Sequence, residues 1–205
     1  MSEEKGNLLI KLALILILLA LLLMFNNWWE DFSAGNASHT VISDMQSALE
    51  TQEAENEQET ESKETRPLQM QEAIIDGYAY IGYLNIPALG LELPVLSEWS
   101  EAGLKIAPAR HFGAAATDDL VIAAHNYRRH FGALGTLKDG DEVTFTEMDG
   151  YVNHYVVRKV VTIKGTDLQE VMYNPYDLVL YTCTTGGKKR LAAYCERVDA
   201  GASQQ

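Results

Sequence analysis

Positive charge is scarce in this chain. Its 205 residues hold 16 lysines and arginines against 29 aspartates and glutamates, a net charge of −13. The basic footprint of a nucleic-acid-binding protein is therefore missing. Cysteine is scarcer still, at two residues, which excludes a disulfide-dense scaffold. Five prolines and 15 glycines exclude a collagen-like repeat. What is present suits a protein with a core: 47% of residues are hydrophobic and 22% charged, so wholesale disorder is excluded too. The length fits one compact unit plus additional segments.

Charge divides the chain into three regimes. Over residues 1–29, Glu3, Glu4, Lys5 and Lys11 cancel. Residues 30–72 carry eleven acids against Lys63 and Arg66, whereas 73–205 carry sixteen acids against twelve bases. Leu12 to Phe25 is uninterruptedly apolar, and Leu8, Leu9 and Ile10 extend it across Lys11. A helix of about 18 residues spans roughly 27 Å, close to a bilayer core. Lys11 can snorkel, and Trp28 and Trp29 suit an interface belt. A cleaved signal peptide would need small residues where Asn26, Asn27, Trp28 and Trp29 stand. The expectation is an uncleaved single-pass anchor. Lys5 and Lys11 precede the span, and the next base is Lys63, which places the N-terminus in the cytoplasm and the bulk of the chain outside. The organisation expected is a cytoplasmic tail over 1–7, a transmembrane anchor over 8–29, a flexible acidic linker over 30–72 and a folded domain over 73–205. Within the linker, Val41, Ile42, Met45 and Leu49 could line one face of a short helix, but nothing in the sequence continues it.

After Tyr78 the signals are strands. Tyr80–Ile86, Leu91–Val95, Leu120–Ala124, Tyr151–Ile163, Leu178–Thr182 and Arg190–Val198 are β-rich runs broken by Pro87, Gly90 and the Asp149-Gly150 turn. A short helix is expected over Ser97–Lys105, capped by Ser97. About eight strands with scarcely any helix read as a barrel or sandwich, mainly β.

An extracytoplasmic chain with Cys183 and Cys195 invites a disulfide, but the geometry opposes it. If Cys183 and Arg190 face each other across the Thr184–Lys189 loop, Cys195 lies opposite residue 178, about 16 Å along the strand. A bridge tolerates roughly 7 Å. Cys195 then reads as a small core residue. Cys183 ends an apolar strand before a glycine-containing loop, and Lys188, Lys189 and Arg190 follow closely; nearby cations favour a thiolate. Such a nucleophile needs a proton-transfer partner. Among the five histidines, His39 lies in the linker, His130 and His154 read as surface residues, and His111 is a weak loop candidate. His125, directly after Leu120–Ala124, ends a buried strand.

The set resembles the sortases, cysteine transpeptidases of Gram-positive cell envelopes. Tyr80–Val95 is similar to the family's opening strands, and Ala124-His125-Asn126 and the run 137–141 follow in family order. Leu180-Tyr181-Thr182-Cys183 is similar to its Thr-Leu-x-Thr-Cys signature, and Arg190 begins the expected arginine-bearing strand. Two departures are Ala124, where a glycine is usual, and the missing first threonine. The resemblance covers about residues 78–198. It implies an eight-stranded sortase β-barrel with short helices in which Cys183, His125 and Arg190 are catalytic. It also implies cleavage of a Leu-Pro-x-Thr-x sorting signal on secreted proteins and transfer to an amine of the cell wall or a pilin. No cofactor is expected; calcium serves some sortases, but no ligand spacing here supports it. The 14 residues of 164–177, the lack of a second apolar span after Val198 and the lack of an aromatic lid motif in 66–80 place the chain nearer class D or unclassified sortases. Two other readings stay open: a tethered binding module without catalysis, and a cysteine peptidase that only hydrolyses. A papain-like protease fits less well, because there the cysteine precedes the histidine, whereas here His125 comes before Cys183.

Overall fold

The computed structural model describes residues 2–56 and 69–198. The expected tail residue Met1, the linker stretch 57–68 and the C-terminal stretch 199–205 of the expected folded domain lie outside the described residues. The chain begins with helix α1 (Ser2–Asn56) and continues into β1 (Ala73–Ile75), β2 (Tyr78–Ile86), β3 (Leu91–Leu96), β4 (Ala109–Phe112), β5 (Leu120–Ala124), β6 (Glu142–Glu147) and β7 (Val152–Lys164). The single-turn α2 (Gln169–Met172), β8 (Leu178–Cys183) and β9 (Lys189–Arg197) complete it.

Eight strands close into a barrel in the order β2-β3-β4-β5-β8-β9-β7-β6, with β6 returning to β2, and β1 hangs on the free N-terminal half of β2. Closure depends on Gly82. It pairs with Glu147 at φ +148°, and a Cβ there would lie 2.0 Å from the Thr146 carbonyl oxygen. The β3–β4 and β5–β8 contacts are parallel and the rest antiparallel.

Period-two alternation sorts the side chains into two apolar layers. Leu120, Ile122, Leu178, Leu180, Ala193 and Cys195 fill the barrel interior. Val121, Ala123, Val179, Tyr181, Ala192 and Tyr194 face outward, where they form a second cluster with Val41 and Met45 of α1.

That second layer corrects the expectation of a flexible linker from residue 30. Up to Asn56 the segment is helix, continuous with the apolar stretch before it. Val41, Ile42, Met45 and Leu49 are buried and α1 packs on β1 and β3. Their spacing is that of one helix face. Its partner surface lies far along the chain, so the sequence showed the face without showing what covers it. Toward its start, Leu9–Asn26 has a mean hydropathy of 2.7 and no part of it is buried, so it is long and apolar enough to cross a membrane.

Two local expectations also change. Over Ser97–Lys105 only Gly103–Lys105 is helical, as a 3₁₀ turn, and the capping oxygen is Ser100 Oγ, 2.9 Å from the Gly103 nitrogen. Ser97 instead joins the strands, donating its N–H to Ala79 and accepting from Arg110. His130, expected at the surface, is fully buried. The turn Phe131–Thr136 that follows it turns Phe131 and Leu134 into the barrel core.

Candidate active site

Three neighbouring strands deliver the residues of interest to one end of the barrel. β5 and β8 run parallel with Ala124 beside Thr182. The next residues therefore stand at the same level, His125 just past the end of β5 and Cys183 as the last residue of β8. β9 returns antiparallel, and Arg190 sits directly opposite Cys183. The order across the sheet is His125, Cys183, Arg190, at strand spacings of about 4.8 Å. Cys183 stands in the middle.

Alternation also fixes the face. Thr182 points inward and is 2% exposed, and its Oγ1 donates to the Ala124 carbonyl at 2.8 Å. This bond ties β5 to β8 immediately before both functional side chains. Cys183 therefore shares the outer face with Tyr181 and is half-buried, and its cross-strand partner Arg190 faces the same way. The Arg190 Nη1 donates to the carbonyls of Gly187 at 2.9 Å and Lys189 at 3.2 Å. The β8–β9 loop thus holds the Nη1 corner of the guanidinium. The His125 ring lies 4.9 Å, centre to centre, from that of Tyr127 and is tilted 39° to it, and the His125 carbonyl accepts from Phe131 N–H at 3.2 Å. The tight loop behind it requires Gly132, where a Cβ would lie 2.6 Å from the Tyr127 carbonyl oxygen.

The register assumed from the sequence is the one observed: Cys183 opposes Arg190, and Leu178 opposes Cys195. Both cysteines are free. Cys195 is fully buried, and burial pushes its thiol well above the usual range. Only Cys183 is placed to meet a substrate.

One contributor had no sequence signal. The Tyr181 hydroxyl lies 3.0 Å from His111 Nδ1, across 70 residues of chain. Burial pushes the Tyr181 hydroxyl up to about 12, with Arg190 pulling it down and Cys183 pushing it up. Tyr181 thus keeps its proton at neutral pH, and its hydroxyl and Nδ1 share one hydrogen bond. Burial lowers His111 below its ordinary value, consistent with a neutral ring. Trp99 lies 6.1 Å from His111, centre to centre. Ser97, Trp99, Arg110, His111, Phe112 and Gly113, with Glu98, line an open cavity of about 360 Å³. From Cys183 the outer face thus runs back over Tyr181 to a recess beside β4. His154 is half-buried on β7. Among the described residues, no three His, Cys, Asp or Glu side chains converge as a metal site.

The three residues to which the family resemblance assigns catalysis thus stand at one end of three neighbouring strands. A family model for the sortase domain matches residues 84–198. No curated protein matches the chain. Solved structures do. Sortase C1 from Streptococcus suis is 27% identical with a TM-score of 0.54, over 62% of this chain and 76% of that one. Sortase C from Streptococcus pneumoniae is 24% identical with a TM-score of 0.55, over 77% and 90%. Sortase A from Corynebacterium diphtheriae is 19% identical with a TM-score of 0.56, over 86% and 94%. The last two show the fold alone. The closed eight-stranded barrel, the short helices and a domain match over more than half its length make this chain a member of the sortase family.

Proposed function

We propose that this sortase cleaves a Leu-Pro-x-Thr-x sorting signal on secreted proteins and passes the acyl group to an amine of the cell wall or a pilin. The observation that supports the reading is the β5–β8–β9 register, in which Ala124, just before His125, lies beside Thr182, and Cys183 opposes Arg190. In the first step the Cys183 thiolate attacks the scissile carbonyl carbon, and the carbonyl electrons move onto oxygen. Arg190 donates to that oxygen, for which its planar, permanently charged fork is suited. Collapse breaks the C–N bond, and the departing amine takes a proton from the His125 imidazolium. A thioester remains on Cys183. An incoming amine attacks it, His125 removes the amine's proton, and the thiolate leaves as the new amide forms. Two moderate barriers replace one high barrier, the usual gain of covalent catalysis.

Leu9–Asn26 serves as a membrane anchor in this reading. Lys5 and Lys11 hold the N-terminus in the cytoplasm, and the barrel faces the cell exterior. Secreted substrates emerge there, and the acceptors lie there too. A non-catalytic module with a Cys183–Cys195 bridge is disfavoured, because five residues of strand, about 16 Å, separate their positions on the β8–β9 ladder.

The test is a library of sorting peptides incubated with the full-length protein in neutral detergent, with and without amine acceptors. Amide products that require the acceptor support transfer. Acid products alone, whatever the acceptor, would make the protein a peptidase. No cleavage of any peptide, with Cys183 resisting alkylation, would leave a binding module.

A further inference from the structure

The folded region is acidic, with twelve bases against sixteen acids over 73–205, yet its bases are unevenly placed. Residues 120–138 and 178–195, the strands and loops that carry His125, Cys183 and Arg190, contain Arg128, Arg129, Lys138, Lys188, Lys189 and Arg190 and no acid. β7 adds Lys164, paired with Lys189 at the same end of the barrel, and the Gly165 N–H donates to the Lys188 carbonyl. Arg128, Arg129, Lys164, Lys188 and Lys189 are exposed. Among the described residues Arg128, Lys164, Lys188 and Lys189 make no ion pair, whereas Arg158 and Arg197 do. The nearest acid along β7 is Asp167, three residues beyond Lys164. The rim around the nucleophile is therefore positive on a negative protein.

We infer that this rim binds the amine acceptor, and that the acceptor carries acidic groups beside its amine. The inference rests on the transpeptidase reading above and names the second substrate's chemistry. The outer face behind Cys183, over Tyr181 to the recess beside β4, is the track on which an extended acyl chain lies. The rim lies ahead of Cys183, on the side that the leaving group vacates. An acceptor entering there brings an ammonium, which a cluster of cations repels. Carboxylates next to the amine reverse that repulsion and raise the encounter rate. The same cations favour the neutral, nucleophilic form of the amine.

The experiment uses full-length protein in neutral detergent, a Leu-Pro-Ala-Thr-Gly donor, and either Gly-Gly-Asp-Asp or Gly-Gly-Asn-Asn as acceptor. At about 0.01 M salt, where charges act over about 30 Å, the acidic acceptor is expected to be transferred about tenfold faster. The ratio falls toward one at about 1 M salt, where the range is about 3 Å. A variant combining Arg128→Gln and Lys164→Gln is expected to lose most of the preference while cleaving donor without acceptor at the unchanged rate. Calorimetric titration of Cys183→Ala protein with the two acceptors gives a readout independent of turnover, the acidic peptide binding more tightly. Equal rates and equal binding at low salt would overturn the inference, as would a preference that survives the double substitution undiminished. Failure is distinguishable from failure of the enzyme reading: donor cleavage with no acceptor preference sinks only the rim, whereas absence of donor cleavage sinks the transpeptidase and the rim with it.

Discussion

Replacing Arg190 by lysine keeps the charge and removes the fork. In the structure the Nη1 corner is already committed to the Gly187 and Lys189 carbonyls, at 2.9 and 3.2 Å. Arg190 is the cross-strand partner of Cys183, so the two side chains leave the same face of the sheet. A lysine ammonium has a single nitrogen. If it holds the loop carbonyls it does not reach a developing oxyanion, and if it reaches the oxyanion it releases the loop. Loss of one oxyanion donor costs about 3–4 kcal/mol, or about 10²–10³ in kcat. Arg190→Lys is therefore expected to lower kcat and kcat/KM together by about that factor, with little change in substrate affinity. The assay is steady-state cleavage of a fluorogenic sorting peptide. Iodoacetamide labelling of Cys183 and a thermal melt, both unchanged, establish that the fold and nucleophile survive. A kcat/KM within about twofold of the parent would refute the assignment and leave Arg190 a solvated charge.

Cys183→Ala is expected to abolish turnover without lowering Tm, because the side chain is half-exposed at a strand end. In the parent protein, mass spectrometry should find alkylation at Cys183 and none at the fully buried Cys195. Arg197 donates to Asn153 Oδ1 at 2.7 Å and Asp118 Oδ1 at 2.7 Å, and also to the Ala115 carbonyl and the Tyr155 hydroxyl. Arg197→Ala removes all four bonds, three of them to the buried Ala115, Asn153 and Tyr155, and should destabilise the barrel by about 2–4 kcal/mol, measured by urea unfolding; a loss below about 0.5 kcal/mol would refute it. Met45→Ala removes a fully buried side chain from the α1 interface at a cost of about 2–5 kcal/mol. It should loosen the helix before the barrel, seen as faster hydrogen exchange confined to residues 40–50; unchanged exchange there would count against docking. For His111, burial lowers the folded value, so the unfolded state binds the extra proton first. Its contribution is present above the ordinary histidine value of about 6.5 and is lost as pH falls below it. The fall in Tm between about pH 7.5 and pH 5 should be smaller in His111→Gln, and an identical fall would show that His111 does not contribute.

Much of the barrel was legible because β-strands write their burial into alternate residues. The runs Leu120–Ala124 and Leu178–Thr182 are, within one residue, strands β5 and β8. The turn between Cys183 and Arg190 even set the correct pairing. Other features were hidden for physical reasons. The Tyr181–His111 bond joins residues 70 positions apart, and no local pattern records such a contact. His130 looked solvated because its sequence neighbours are polar, whereas it is buried at the start of the turn that inserts Phe131 and Leu134 into the barrel.

The sequence by itself determined which side chains could do chemistry, that Leu12–Phe25 could form an apolar span, and that a mainly β domain follows. These are properties of residue type and short-range period, which survive without knowledge of distant partners. Only the tertiary structure decided that Val41, Ile42, Met45 and Leu49 continue a helix and that β5, β8 and β9 end side by side, with Cys183 opposite Arg190 and Thr182 beside the residue before His125. It also gathered Lys164 with the bases of two other loops at the same rim. A face needs an opposing surface and a charge cluster needs neighbours, and in a closed barrel both come from strands far apart in the chain.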